Sequence, residues 1–261
     1  MNIGVFDSGL GGLTILKALL KELPQYNYIY LGDNARVPYG NRSAETIYQF
    51  TKEAMDFLFK KNCQIIIIAC NTSTSTSLHK IQQEYLPKFF PDRRVLGVIK
   101  PVIEKIAENK PEFGESKIGI IGTKATVNSG AFIREINKVL PKTQVFQQAC
   151  PLLVPYIEDS GNKKILKLIL DEYLKNLINE KINILLLACT HYEIIEKEIK
   201  KIVGKNIEVI SEGKIAAIKL KDYLSHHPQV EKKLEKNKKV SYFFTDPNQD
   251  NKKLIALFLN D

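Results

Sequence analysis

The chain has 261 residues, 44% hydrophobic and 26% charged, an ordinary soluble globular composition with room for two modest domains. Its net charge of +9 invites a nucleic-acid reading, yet only Arg36, Arg42, Arg93, Arg94 and Arg134 among the 38 basic residues are arginine, the residue that bidentate phosphate recognition favours. The lysines alternate with glutamate, as along Glu193 to Lys201, so a solvated Lys/Glu surface is expected and a nucleic-acid partner is not, with Glu231 to Lys239 the densest basic run.

Strand-like apolar runs fall at Ile3–Phe6, Tyr28–Leu31, Ile65–Ala69, Val95–Ile99, Ile118–Ile121, Ile184–Ala188, Ile207–Ile210 and Val240–Phe244. Helical periodicity fills the intervals, for example Leu13–Glu22, Ala44–Lys60, Val127–Leu140 and Lys164–Asn179. This order predicts an α/β protein of doubly wound, mainly parallel sheets, with functional loops at the carboxyl ends of the strands. The first residues enter a strand directly, with no basic region before an apolar one, so no signal peptide is expected. The apolar runs are too short for a membrane helix, and a cytoplasmic location follows as an expectation. Cys63, Cys70, Cys150 and Cys189 form no C-x-x-C pair, which argues against a zinc ribbon or a thioredoxin-type site, and reduced thiols are expected.

Two blocks look like copies. Ile65-Ile66-Ile67-Ile68-Ala69-Cys70-Asn71-Thr72 is answered 119 positions later by Ile184-Leu185-Leu186-Leu187-Ala188-Cys189-Thr190-His191. Ile3-Gly4-Val5-Phe6 is echoed by Ile118-Gly119-Ile120-Ile121 at an offset of 115. The near-equal offsets predict two pseudo-symmetric domains with a site in the cleft between them. The first domain is placed at 1–97 plus 208–261 and the second at 98–207. The chain is expected to cross near Pro101 and Pro111–Gly114 and to return after about Ile207.

Each duplicated cysteine stands where a strand ends and a helix would begin, a place that favours thiolate over thiol. A single such cysteine is as readily a small core residue; a matched pair points to chemistry, because inverting a stereocentre needs an acceptor and a donor of protons on opposite faces of one carbon. Cys63 and Cys150 have no matched context and are read as packing. Asn71, Thr72, Thr190 and His191 offer donors for a small carboxylate, although Ser and Thr after a strand also serve as ordinary caps. His191 could act as acid or base, or position Cys189. Asp7-Ser8-Gly9-Leu10-Gly11-Gly12 lacks the order of a dinucleotide loop and the lysine of a P-loop, so its glycines are read as permitting close backbone approach. Asp7 would then share the functional rim with Cys70, and Tyr39 in the Val37-Pro38-Tyr39-Gly40 turn could line the same cleft.

Phe6-Asp7-Ser8-Gly9-Leu10-Gly11-Gly12, the segment Gly32 to Gly40, Ala69-Cys70-Asn71-Thr72, the segment Ala149 to Pro155 and Ala188-Cys189-Thr190-His191-Tyr192 together resemble the aspartate/glutamate racemase family. The resemblance implies interconversion of L- and D-glutamate without a cofactor, supplying D-glutamate for peptidoglycan, by a homodimer acting on a small-molecule substrate. It assigns Cys70 to deprotonate D-glutamate with help from Asp7, and Cys189 to deprotonate L-glutamate with help from Glu158 and His191. Asp7, Ser8, Tyr39, Gly40, Asn71, Thr72, Thr126, Thr190 and His191 match substrate-binding positions. Aspartate racemase, another two-cysteine isomerase of the group, and a non-catalytic small-ligand-binding module are the rival readings. The chain departs from the family pattern at Ser73-Thr74, at Lys100, at Glu193 where proline usually follows the tyrosine, and at Ser211-Glu212-Gly213, which replaces the usual Asp-Ser-Gly-Glu.

Overall fold

The computed structural model describes residues 1–109, 116–159 and 162–246, with Ile255 and Leu259. Among these, nine strands form two parallel sheets. They are β1 (Asn2–Asp7), β2 (Tyr28–Gly32), β3 (Cys63–Ile68), β4 (Arg94–Gly97), β5 (Lys117–Gly122), β6 (Gln144–Ala149), β7 (Ile184–Ala188), β8 (Glu208–Ile210) and β9 (Val240–Phe244). The first sheet has the order β4-β3-β1-β2-β9 and the second β6-β5-β7-β8.

The duplication seen in the sequence governs this topology. Read from the other edge, the second sheet is β8-β7-β5-β6, the counterpart of β4-β3-β1-β2, and β9 is an addition to the first. Registers agree as well: Ile3 pairs with Ile65 in one sheet, and their counterparts Ile118 and Ile184 pair in the other. The strand at 208–210 therefore belongs to the second sheet, bonded to β7, and does not begin the return to the first as the sequence reading placed it. It is the copy of β4, and the chain goes back only through the helix Gly213–His226 to β9. The Pro111–Gly114 crossing lies outside the described residues.

Both faces of each sheet are buried, which is why the strands read as unbroken apolar runs. On the first sheet Ile3, Val5, Ile65 and Ile67 face one core, and Phe6, Ile66 and Ile68 the other. On the second, Ile121, Leu185 and Leu187 oppose Ile118, Ile120, Ile184 and Leu186. β6 is not foreseen from the sequence because it is an edge strand, Gln-Val-Phe-Gln-Gln-Ala, with partly exposed side chains and no apolar run. The helix expected over Val127–Leu140 is two, Lys124–Ser129 and Ala131–Val139, divided at Gly130, whose φ of 63° ends the first. No helix among the described residues is long and apolar enough to cross a membrane.

Candidate active site

The carboxyl ends of both sheets meet at one small cavity, with roughly 330 Å³ of empty space including its mouth. Cys70 enters it from the end of β3 and Cys189 from the end of β7, each almost wholly buried, at 5% and 7% exposure. Ser8, Tyr39, Gly40, Asn71 and Thr72 line the first half, and Thr190 and His191 the second. The cavity thus gathers most of the residues named from sequence. Asp7, Glu158 and Thr126 do not line it but are hydrogen-bonded to side chains that do, Thr190, His191 and Thr72.

Cys70 caps the helix Asn71–Lys80: its Sγ accepts the Ser73 N–H at 3.4 Å and donates to Ser8 Oγ at 3.3 Å. Cys189 precedes only a tight turn, Thr190–Ile195, and makes no side-chain cap. Its Sγ lies 4.0 Å from His191 Nδ1, and His191 Nε2 lies 2.9 Å from Glu158 Oε1. An ionised carboxylate can only accept, so in a neutral His191 the hydrogen sits on Nε2 and Nδ1 is free to take the Cys189 proton.

Strand-end position alone does not make these thiols acidic, contrary to the sequence-based expectation. Burial pushes Cys70 up, and the Asp7 charge adds to it against the opposing bonds from Ser73 and Ser8. Burial pushes Cys189 well above the usual thiol range, with the His191 N–H opposing. Desolvation of a full charge in a closed cavity outweighs the few N–H dipoles at a helix end.

Asp7 is wholly buried, and burial raises its carboxyl, opposed by the nearby His191 and then by the Gly9 and Gly12 N–H groups. Its Oδ2 accepts from Gly9 N–H at 3.0 Å, and its Oδ1 accepts from Thr190 Oγ1 at 3.4 Å. A carboxylate on β1 is therefore bonded to the residue next to Cys189, and its charge bears on both thiols. Close approach at this seam needs glycine. A Cβ on Gly11 would stand 2.4 Å from Thr190 Oγ1, and one on Gly40 would stand 2.6 Å from Thr123 Cβ.

Thr123, which lines the cavity, escaped the sequence reading. It belongs to a hydroxyl triangle in which its Oγ1 lies 2.9 Å from Thr72 and 3.0 Å from Thr126. Its signal was available, since at the offset of 115 it is the counterpart of Ser8, which also lines the cavity. Tyr39 is held by a hydrogen bond from its hydroxyl to Asp33, which also accepts from Arg36 Nε at 2.6 Å and Thr245 Oγ1 at 2.7 Å. Asp33 anchors the turn through local bonds to Arg36 and Tyr39 and one to Thr245, 212 positions away, which spacing in the sequence does not reveal.

Glu212 is a second buried carboxyl, 3% exposed, with Oε2 accepting from Asn71 Nδ2 at 2.6 Å. Burial, and secondarily the charge of Glu193, push it up to about 8 against the opposing Asn71 bond. The unfolded chain ionises a glutamate near 4.3, so between about 4.3 and 8 the folded state holds a proton that the unfolded state has released. The stability contributed by neutral Glu212 is thus complete below that interval and falls as pH rises through it, by at most roughly 1.4 kcal/mol per pH unit. Thermal melts of wild type and Glu212→Gln from pH 4 to 9 should diverge with pH; a constant difference would show that Glu212 is not held neutral.

The chain matches the model of the Asp/Glu/Hydantoin racemase family over residues 6–220. It is 37% identical over 263 residues to the glutamate racemase of Aquifex aeolicus, covering 100% of this chain and 95% of that protein. The crystal structure of glutamate racemase from Francisella tularensis in complex with D-glutamate has a TM-score of 0.86 to it at 34% identity, covering 100% of this chain and 94% of the other. Glutamate racemase isoform RacE1 from Bacillus anthracis has a TM-score of 0.87 at 31% identity, with the same coverage. The chain belongs to the Asp/Glu/hydantoin racemase family.

Proposed function

We propose that within this family the protein is a glutamate racemase, interconverting L- and D-glutamate with Cys70 and Cys189 as the two acid–base groups. One observation carries the reading: matched thiols, from matched strands of two facing sheets, enter the same small cavity. The relatives above, alike over nearly their whole length and named as glutamate racemases, favour glutamate over aspartate. A non-catalytic binding module leaves the second thiol without a task.

The obstacle is the weak acidity of the amino-acid Cα–H. Starting from L-glutamate, a Cys189 thiolate takes the Cα proton and becomes a thiol, while the Cys70 thiol delivers its proton to the opposite face and becomes a thiolate. The reverse reaction exchanges the roles. Burial makes both thiols favour the neutral form. The substrate ammonium brings the positive charge that makes a buried thiolate affordable. The first turn of the helix Asn71–Lys80, with the Thr72 and Thr123 hydroxyls, presents donors to a carboxylate and to the charge that develops beside it. His191, backed by Glu158, draws the proton from Cys189, and Asp7 balances Cys70. The resulting D-glutamate suits cell-wall synthesis, and the family resemblance adds a homodimer and a cytoplasmic setting to the same proposal.

The test is turnover of each glutamate enantiomer in D₂O without added cofactor, followed by optical rotation and by loss of the Cα–H signal, with aspartate as control. Inversion of glutamate with deuterium at Cα, and a much slower reaction with aspartate, is expected. Binding without Cα exchange would overturn the reading in favour of a binding module.

A further inference from the structure

Two departures from the family pattern, Glu193 and Glu212, stand 19 positions apart, and the charge of the first bears on the second. Neither lines the cavity. Glu193 follows the His191-Tyr192 turn and lies against the Thr14 hydroxyl and the Gly213 N–H. Glu212, next to Gly213, reaches Asn71, the residue between Cys70 and Thr72. Asn71 itself lines the cavity and Glu212 does not, so the carboxamide is gripped from the far side.

Among the described residues that grip is the only hydrogen bond at either side-chain end. Asn71 Oδ1 and Glu212 Oε1 are both buried and, among the described residues, have no partner. A single contact therefore fixes a fully buried amide whose neighbours on both sides face the cavity. We propose that Glu212 is a positioning residue for the racemisation, tethering the Asn71 carboxamide from behind so that Cys70 and Thr72 hold their places. The inference rests on the glutamate racemase reading and adds a residue outside the cavity to it.

The charge of the tether matters as much as its reach. An ionised Glu212 would face the partly buried Glu193 carboxyl, itself raised by burial and by Glu196 and lowered by Thr14, Lys17 and the Gly213 N–H. It would also push the Cys189 thiol further from its thiolate form. Neutral Glu212 avoids both penalties, and a buried neutral carboxyl is what the apolar surroundings favour. Glutamine has the same shape and cannot ionise, so it separates tether from charge.

The experiment is steady-state racemisation from each enantiomer between pH 6 and 9.5 for wild type, Glu212→Ala and Glu212→Gln, with thermal melts alongside. Glu212→Ala should lower kcat roughly 10- to 100-fold in the folded enzyme. Glu212→Gln should restore most of that rate at pH 7. It should also remove a decline in wild-type rate that sets in towards pH 8. Wild-type kcat and pH profile in Glu212→Ala, with only a lower Tm, would overturn the positioning role and leave the racemase reading intact. Glu212→Gln as impaired as Glu212→Ala would overturn the tether as well. If the alanine variant does not fold, the pH profile of Glu212→Gln against wild type decides alone, and an unchanged decline refutes the proposal. A wild-type protein inactive on glutamate defeats the racemase reading and the Glu212 role with it.

Discussion

Cys70→Ala and Cys189→Ala should each lower glutamate racemisation by about 10²–10⁴-fold, because in the proposed scheme each removes the group that exchanges a proton with one face of the substrate carbon. Normal turnover by either variant would defeat the two-base scheme. The serine variants are the sharper test. A hydroxyl can still donate a proton but is a far poorer base, so in D₂O each should lose Cα exchange mainly with one enantiomer: Cys189→Ser with L-glutamate, Cys70→Ser with D-glutamate. His191 stands beside Cys189 and not Cys70, so His191→Asn should follow the Cys189→Ser pattern. Equal losses with both enantiomers would refute the assignment of faces.

Gly11→Ala should be nearly as damaging, although Gly11 carries no chemistry. Its Cβ would meet Thr190 Oγ1 at 2.4 Å, His191 Nδ1 at 2.5 Å and His191 Cε1 at 2.8 Å, all side chains of the opposite half. Relief requires the halves to part or His191 to turn. The first lengthens the Thr190–Asp7 contact, and the second breaks the alignment of Cys189, His191 and Glu158. Overpacking of this kind costs about 1–3 kcal/mol, and displacement of an aligned catalytic group by about 1 Å costs on the order of 10²-fold in rate. A lower Tm together with a slower kcat is expected; wild-type kcat would show that the seam yields without consequence for the reacting groups.

The chemistry was legible in the sequence because it is written twice. Strands buried on both faces must be apolar at every position, so Ile65–Ile68 and Ile184–Leu187 stand out, and the cysteine that follows each run after one alanine is delivered to the same rim of its sheet. The residues that act from behind were less visible. Glu158 and Thr126 follow only from the family resemblance, since a residue in a helix reveals nothing of the distant side chain it meets, His191 for Glu158 and Thr72 of the other half for Thr126. Thr123 is the copy of Ser8 at the offset of 115, a correspondence that a single threonine after a short apolar strand does little to advertise. β6 was hidden by its edge position, where one side of the strand needs no apolar run.

The α/β class, the paired thiols and the rim on which they stand follow from local periodicity and from a repeat, which the order of residues carries. Tertiary packing places β8 in the second sheet, buries both thiols so that they resist ionisation, and bonds Asp7 across the seam to Thr190. It alone also brought Glu212 beneath Asn71, 141 positions away. Hydrogen-bond partners and desolvation belong to the space that distant segments enclose together, and no stretch of chain contains that information alone.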